Sequence, residues 1–118
     1  MKSNGNIKLT MADIDGLKKV RSIIAKDLKL HNTIQGLAQE VGINDFKLKK
    51  GFKELFDVTI YDFLYQARMD KAKDLLNEPD ISIKEISRSV GYRSVSSFIE
   101  AFKKMFGETP TSWRKSKV

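Results

Sequence analysis

The sequence has no cysteine and only one histidine, His31, among its 118 residues. Disulfide bonds and thiolate metal sites are therefore excluded, and a zinc site or a histidine-based catalytic relay lacks its parts. The apolar runs are only a few residues long, so no segment predicts a membrane span and no secretory signal opens the chain. These absences predict a cytosolic protein that holds no metal and no cofactor.

Patterns of catalytic residues are missing as well. The chain has no glycine-rich phosphate loop, no Ser/His/Asp arrangement and no pair of carboxylates on a shared helix face. The sequence therefore predicts a protein that is not an enzyme.

The formal charge of the chain is +7, and most of the excess lies in two segments. Residues 1–32 have seven basic against three acidic groups, and residues 80–118 have eight against four. A positive field attracts any polyanion, so charge alone does not separate DNA from RNA or an acidic membrane.

A pattern of residues occurs twice along the chain. The first copy consists of Leu37, Ala38, Val41, Gly42, Ile43, Leu48, Phe52, Lys53 and Phe56, and the second of Ile86, Ser87, Val90, Gly91, Tyr92, Phe98, Phe102, Lys103 and Phe106. The second turn has one residue more than the first. Each copy predicts a short helix, a turn opened by glycine and a second helix, which is the outline of a helix-turn-helix. Two copies in one chain predict contact with two successive major grooves of DNA without a dimer.

Capping residues in register with apolar periodicity predict an all-α fold of about seven helices. The predicted helices are 11–28, 34–41, 45–56, 59–77, 83–90, 95–106 and a last short helix that begins at Pro110 and includes Trp113 and Arg114. Residues 1–8 are polar and aperiodic, which predicts a disordered leader or a linker remnant. The length predicts one domain over 9–118, with helix-turn-helix units at 34–56 and 83–106 joined by the linker helix 59–77.

The predicted third helix has an apolar side and a separate cationic stripe. The apolar side consists of Leu48, Phe52, Leu55 and Phe56, and the stripe of Phe46, Lys49, Lys50 and Lys53. An aromatic at a helix N-terminus suits a thymine methyl or a sugar, and the lysines suit phosphates or guanine. Two alternatives stay open: the stripe is a solvated surface whose lysines cover apolar area, or Phe46 folds back into the core.

The predicted sixth helix has the same two-sided character. Its buried side consists of Phe98, Phe102, Met105 and Phe106, and its opposite side of Ser96, Ser97, Glu100, Lys103 and Lys104. Serines early in such a helix can reach base edges or phosphates, and the later lysines suit phosphates. Glu100 could accept from a cytosine amino group, repel the DNA backbone, or hold Lys103 or Lys104 in place.

The predicted fourth helix is a candidate spacer between the two copies. Its 19 or so residues would span about 28 Å, close to the roughly 34 Å between successive major grooves on one face of the duplex. Its apolar positions, which are Ile60, Phe63, Leu64, Ala67, Leu75 and Leu76, allow packing against both copies.

Two stretches of the sequence carry a resemblance to a known family. TIQGLAQEVGINDFKLKKGFKELF is followed by RMDKAKDLLNEPDISIKEISRSVGYRSVSSFIEAFKKMFGETPTSWRK. Over about residues 9–115 the chain resembles the DNA-binding domain of AraC/XylS-type bacterial transcription regulators, a duplicated, homeodomain-like fold. GINDFKLKKGFKELF and the leader around LTMADIDGL resemble the subgroup that controls siderophore uptake and synthesis. Asp57 stands where a helix-ending glycine is usual in this family, and Glu100 where arginine is common.

The resemblance implies a sequence-specific DNA-binding module of a regulator that activates transcription. The expected first-groove residues are Asn44, Phe46, Lys47, Lys49, Lys50 and Lys53, and the expected second-groove residues are Arg93, Ser96, Ser97, Glu100, Lys103 and Lys104. It also implies a monomeric domain that contacts RNA polymerase, in the bacterial cytoplasm and at the nucleoid when bound. Relatives usually carry an effector-binding domain as well, so we expect that domain of a longer parent chain to be missing here, although some relatives are stand-alone proteins of this size. The alternative is a helical module whose basic faces bind acidic proteins, which would show no preference among duplexes.

Overall fold

A computed structural model describes residues 7–116, and within them it contains seven helices and no strand. The helices are α1 (Met11–Lys26), α2 (Ile34–Val41), α3 (Asp45–Phe56), α4 (Ile60–Leu76), α5 (Ile83–Ser89), α6 (Val95–Phe106) and α7 (Pro110–Ser116). The predicted all-α class is therefore confirmed. Most of the predicted leader, residues 1–6, lies outside the described residues, and Ile7 and Lys8 belong to no helix.

The helices begin where side chains can satisfy the free backbone N–H groups of a first turn. The Thr10–Asp13 and Ser82–Glu85 pairs form full capping boxes at α1 and α5. At the other helix starts, one side-chain oxygen accepts a hydrogen bond from the backbone N–H three residues further along the chain. These caps are Thr33, Asn44, Thr59, Ser94 and Thr109. Local sequence thus determines where each helix starts.

Left-handed residues end three of the helices. Gly42 after α2 and Gly107 after α6 have φ of 78° and 82°, which glycine adopts without steric cost. Asp57 ends α3 with φ 61° and ψ 20°, so this aspartate takes the conformation that a glycine would otherwise supply.

Three helices end earlier than the sequence predicts, among them the linker helix α4, which ends at Leu76 and not at residue 77. Helix α1 ends at Lys26 because the next residue, Asp27, uses its carbonyl and its carboxylate to accept from the N–H groups of Leu30 and His31, at 2.9 Å each. These local bonds compete with continuation of the helix. Helix α5 ends at Ser89, one residue before the predicted end, and the left-handed Gly91 with φ 102° follows Val90.

The described chain divides into two compact units between Leu64 and Tyr65, within α4. The length predicted one domain, but the buried residues form two separate clusters, one in each unit. The first cluster holds α1, α2, α3 and the start of α4 together; its members are Leu17, Val20, Ile24, Leu37, Ala38, Leu48, Phe52, Ile60 and Leu64.

The second cluster forms from the rest of α4 with α5 and α6. Its buried members are Met69, Ala72, Leu76, Ile86, Val90, Phe98 and Phe102. The rings of Phe102 and Phe106 lie edge to face with their centroids 4.6 Å apart, as do Phe52 and Phe56 of the first unit at 4.7 Å. The repeated sequence therefore builds the same aromatic pair in both units. None of the helices in the described part of the chain has the length and apolar character needed to cross a membrane.

Candidate nucleic-acid interface

The cationic stripe of α3 is exposed on the first unit. Phe46 is 66% exposed, which excludes the alternative that its ring folds back into the core. Lys49 and Lys53 are also exposed, whereas Lys50 is half-buried. The buried side of the same helix holds Leu48 and Phe52, both fully inaccessible to solvent. Helix α3 thus presents an aromatic ring and three lysines on the side that the core does not need.

Asn44 and Lys47, at the N-terminus of α3, make contacts within the protein. The Asn44 side chain accepts from the N–H of Lys47 at 2.7 Å and so caps the helix. The Lys47 ammonium lies 3.1 Å from Oδ2 of Asp13 on α1, and its side chain is only 32% exposed. Among the lysines predicted to contact DNA, Lys47 therefore has an acidic partner within the protein.

Asp13 is a buried carboxylate with several hydrogen bonds. Its Oδ2 accepts from the backbone N–H of Thr10 at 2.9 Å and from Lys47 at 3.1 Å. The pKa of Asp13 is lowered below its usual value, mainly by the hydrogen bond from the Thr10 N–H and next by the one from the Lys47 ammonium. Burial opposes this shift. The carboxylate is thus held in its charged form.

The outer side of α6 is exposed along the second unit. All five residues predicted for it are exposed, namely Ser96, Ser97, Glu100, Lys103 and Lys104, and Arg93 in the preceding turn is exposed too. The Ser94 and Ser97 hydroxyls share a hydrogen bond of 2.9 Å at the exposed start of α6. Fully buried Phe98 and Phe102 occupy the opposite side.

Glu100 is placed among cations without pairing with them. Between residues 7 and 116, no ion pair joins Glu100 to Lys103 or Lys104. The interpretation that Glu100 holds one of these lysines is therefore not supported, and the carboxylate is open to an external donor.

Several basic side chains that the charge count includes are engaged inside their own unit. The guanidinium of Arg21 lies 4.2 Å from the centre of the Phe56 ring, and the ammonium of Lys73 lies 4.5 Å from that of Phe106. Arg114 donates to three backbone carbonyls. The sequence predicts none of these contacts, and it places Arg114 in the last helix without a role.

The family described as a helix-turn-helix domain matches residues 37–116, more than half of the chain. The chain belongs to the AraC-type helix-turn-helix family of DNA-binding domains. The family match covers both repeated units, and no catalytic family is indicated. The predicted resemblance to AraC/XylS-type regulators is thereby confirmed.

Known regulators from this family are similar to the chain. The xylose operon regulatory protein of Escherichia coli K12 is 33% identical over 103 residues, which cover 87% of this chain and 25% of that protein. The transcriptional activator AggR of Escherichia coli is 37% identical over 92 residues, which cover 78% of this chain and 34% of AggR. The chain thus spans between a quarter and about a third of the length of these curated relatives.

A solved structure of comparable size has the same fold. The C-terminal domain of the two-component response regulator yesN from Fusobacterium nucleatum is 31% identical, with a TM-score of 0.77. The match covers 85% of this chain and 98% of that domain. This AraC-type fold therefore exists as a unit of about the length described for the present chain.

Proposed function

We propose that this AraC-type domain binds double-stranded DNA sequence-specifically, with α3 in one major groove and α6 in the next. The observation that carries the proposal is that each unit has a helix with buried phenylalanines on one side and exposed donors on the other. An α-helix fits the major groove, where each base pair presents a distinct set of donors and acceptors.

In the first groove, we assign base contact to Phe46 and Lys50 and phosphate contact to Lys49 and Lys53. Phe46 would meet a thymine methyl or a sugar, and Lys50 would donate to a guanine edge. Lys49 and Lys53, which are exposed, would lie against phosphates. Asn44 would add its amide donors at the helix N-terminus.

In the second groove, the start of α6 supplies small donors in place of lysines. Ser96 and Ser97 would donate to base edges or phosphates, and Arg93 in the turn would contact the backbone. Lys103 and Lys104 would neutralise phosphates. Glu100, which pairs with neither Lys103 nor Lys104 within residues 7–116, would accept from a cytosine amino group, and an unsuitable base there would leave the carboxylate unpaired.

Helix α4 is the proposed spacer between the two recognition helices. Its 17 residues give a rise of about 26 Å, somewhat below the roughly 34 Å between successive grooves. Its first turns contribute Ile60 and Leu64 to the first cluster, and later turns contribute Met69 and Leu76 to the second. The two-groove spacing is thus proposed from the length of α4 alone.

The regulatory part of the proposal concerns the parent protein. Activation of transcription is supported by the similarity to AggR, which is a transcriptional activator. Contact with RNA polymerase stays a prediction. We further propose a monomeric domain that acts in the bacterial cytoplasm and at the nucleoid when bound. Control of siderophore genes, and linkage to an effector-binding domain, stay predictions.

Selection of bound duplexes from a random pool tests the proposal directly. Two short preferred blocks about one helical turn apart, near 10 base pairs, are expected. A single block would show that one unit alone reads sequence, and no enrichment of any duplex would overturn the proposal in favour of the protein-binding alternative.

Lys50→Ala tests base reading within the selected site. If Lys50 reads a guanine, affinity for the selected duplex falls by about 1–3 kcal/mol and the preference at one base pair is relaxed. Lys18→Ala is the matched control, because it removes the same charge from an exposed position on α1, outside both recognition helices. Equal binding by the two variants to selected and scrambled duplexes would remove Lys50 from the interface.

A further inference from the structure

Asp13 and Lys47 form an ion pair that joins α1 to α3. The two residues are 34 positions apart in sequence. Asp13 is 7% exposed and, together with Ser87, one of two buried polar residues in the described chain. Its carboxylate serves the capping box of α1 and the first turn of α3 at the same time.

Close packing between the same two helices supports this contact. A side chain added at Gly51 of α3 would lie 3.0 Å from Leu17 Cδ1 on α1 and 3.1 Å from Leu9 Cδ2 just before α1. Helix α3 is therefore held against α1 near its middle by Gly51 and at its N-terminal end by Lys47. The N-terminal end is the part of α3 that carries Phe46 and the first lysines of the stripe.

The position of Lys47 also explains why it needs an acidic partner. It is the third residue of α3, where the first turn carries a partial positive charge that disfavours a cation. Asp13 offsets this with a buried carboxylate that stays ionised. Lys49 and Lys53 are exposed and have no acidic side chain within ion-pair distance among the described residues.

We propose that Asp13 is a positioning residue for the first recognition helix, which retains the Lys47 ammonium inside the protein and withholds its charge from DNA. The inference deepens the proposed function and rests on it. It divides the lysines of α3 into one that orients the helix and others that contact the duplex. Asp13 would thus raise the ratio of specific to non-specific binding without contacting DNA.

The salt dependence of binding separates the two kinds of lysine. The slope of log K against log salt is negative, and each phosphate contact that is lost reduces its magnitude by about one. We compare Lys47→Met with Lys49→Met on the selected duplex and on a scrambled one. For Lys47→Met we expect a slope close to that of the original protein, with weaker binding to the selected duplex only. For Lys49→Met we expect the magnitude of the slope to be smaller by about one unit. A slope whose magnitude falls by about one unit in Lys47→Met as well would overturn the inference.

Asp13→Asn and Asp13→Glu provide the second measurement. Asp13→Asn frees the ammonium for a phosphate, so binding to scrambled DNA is expected to strengthen and the magnitude of its salt slope to rise by up to about one unit. Asp13→Glu retains a carboxylate suited to the capping box and is expected to restore most of the original behaviour. Circular dichroism verifies that each variant is folded at the assay temperature. The positioning role would be contradicted if Lys47→Met and Asp13→Asn both kept the original ratio of affinities for the selected and the scrambled duplex. A salt slope that does not change in Lys49→Met would contradict the proposed function instead.

Discussion

Arg114→Met is expected to destabilise the second unit, because Arg114 connects α7 to the end of α4. Its Nε donates to the carbonyl of Leu76 at 3.0 Å, and its Nη2 donates to the carbonyls of Glu78 at 3.0 Å and Ile81 at 2.8 Å. The last carbonyls of a helix have no partner within the helix, and the planar guanidinium can reach several of them at once. One side chain thus holds the helix end and the following turn together.

The size of the effect follows from these three contacts. A hydrogen bond to a charged group contributes about 1.5–3 kcal/mol when both partners are well shielded from water. Arg114 is half-buried and the Glu78 contact is exposed, so water can replace part of what is lost. We therefore expect the free energy of unfolding to fall by about 2–4 kcal/mol in total. Arg114→Lys should lose a smaller part, because an ammonium can still donate to one of these carbonyls although it cannot reproduce the fork.

Urea unfolding followed by tryptophan fluorescence measures this loss. Trp113 is the only tryptophan of the chain and packs against the second cluster, so its signal reports that unit. Lys115→Met is the matched control, since Lys115 is an exposed cation on the same short helix. A free energy of unfolding for Arg114→Met within about 0.5 kcal/mol of this control would refute the reasoning.

Two further predictions concern the cores and the response to acid. Phe102→Ala empties a fully buried position in the second cluster and should cost about 3–5 kcal/mol in the Trp113-monitored transition, against little change for the exposed Lys103→Ala; an equal effect of both would contradict the packing described. The pKa of Asp13 is lowered, chiefly by the Thr10 N–H, so its contribution to stability is present above the unfolded-state pKa of about 3.9 and is lost as the pH falls through the lower folded value. As the pH falls below about 4, Asp13→Asn should therefore lose stability less steeply than the original protein in urea titrations followed by circular dichroism, and parallel curves would contradict this.

The sequence by itself determined the helices and their buried sides. The caps and the left-handed residues act over three or four positions, so Thr10, Ser82 and Gly107 mark helix bounds that no distant contact needs to define. Helical periodicity likewise identified Phe52 and Phe98 as core residues, because side chains three and four positions apart share one face. The repeat then predicted that both units follow one plan.

Only the tertiary structure decided which basic side chains are open to a ligand. Lys47, Lys73 and Arg114 look in sequence like any other exposed cation, yet each contacts a group that lies 33 or more residues away. Such pairings depend on how helices pack, and helix periodicity carries no information about them. For the same reason the sequence placed Lys47 with the DNA contacts, whereas the fold brings its ammonium to the carboxylate of Asp13.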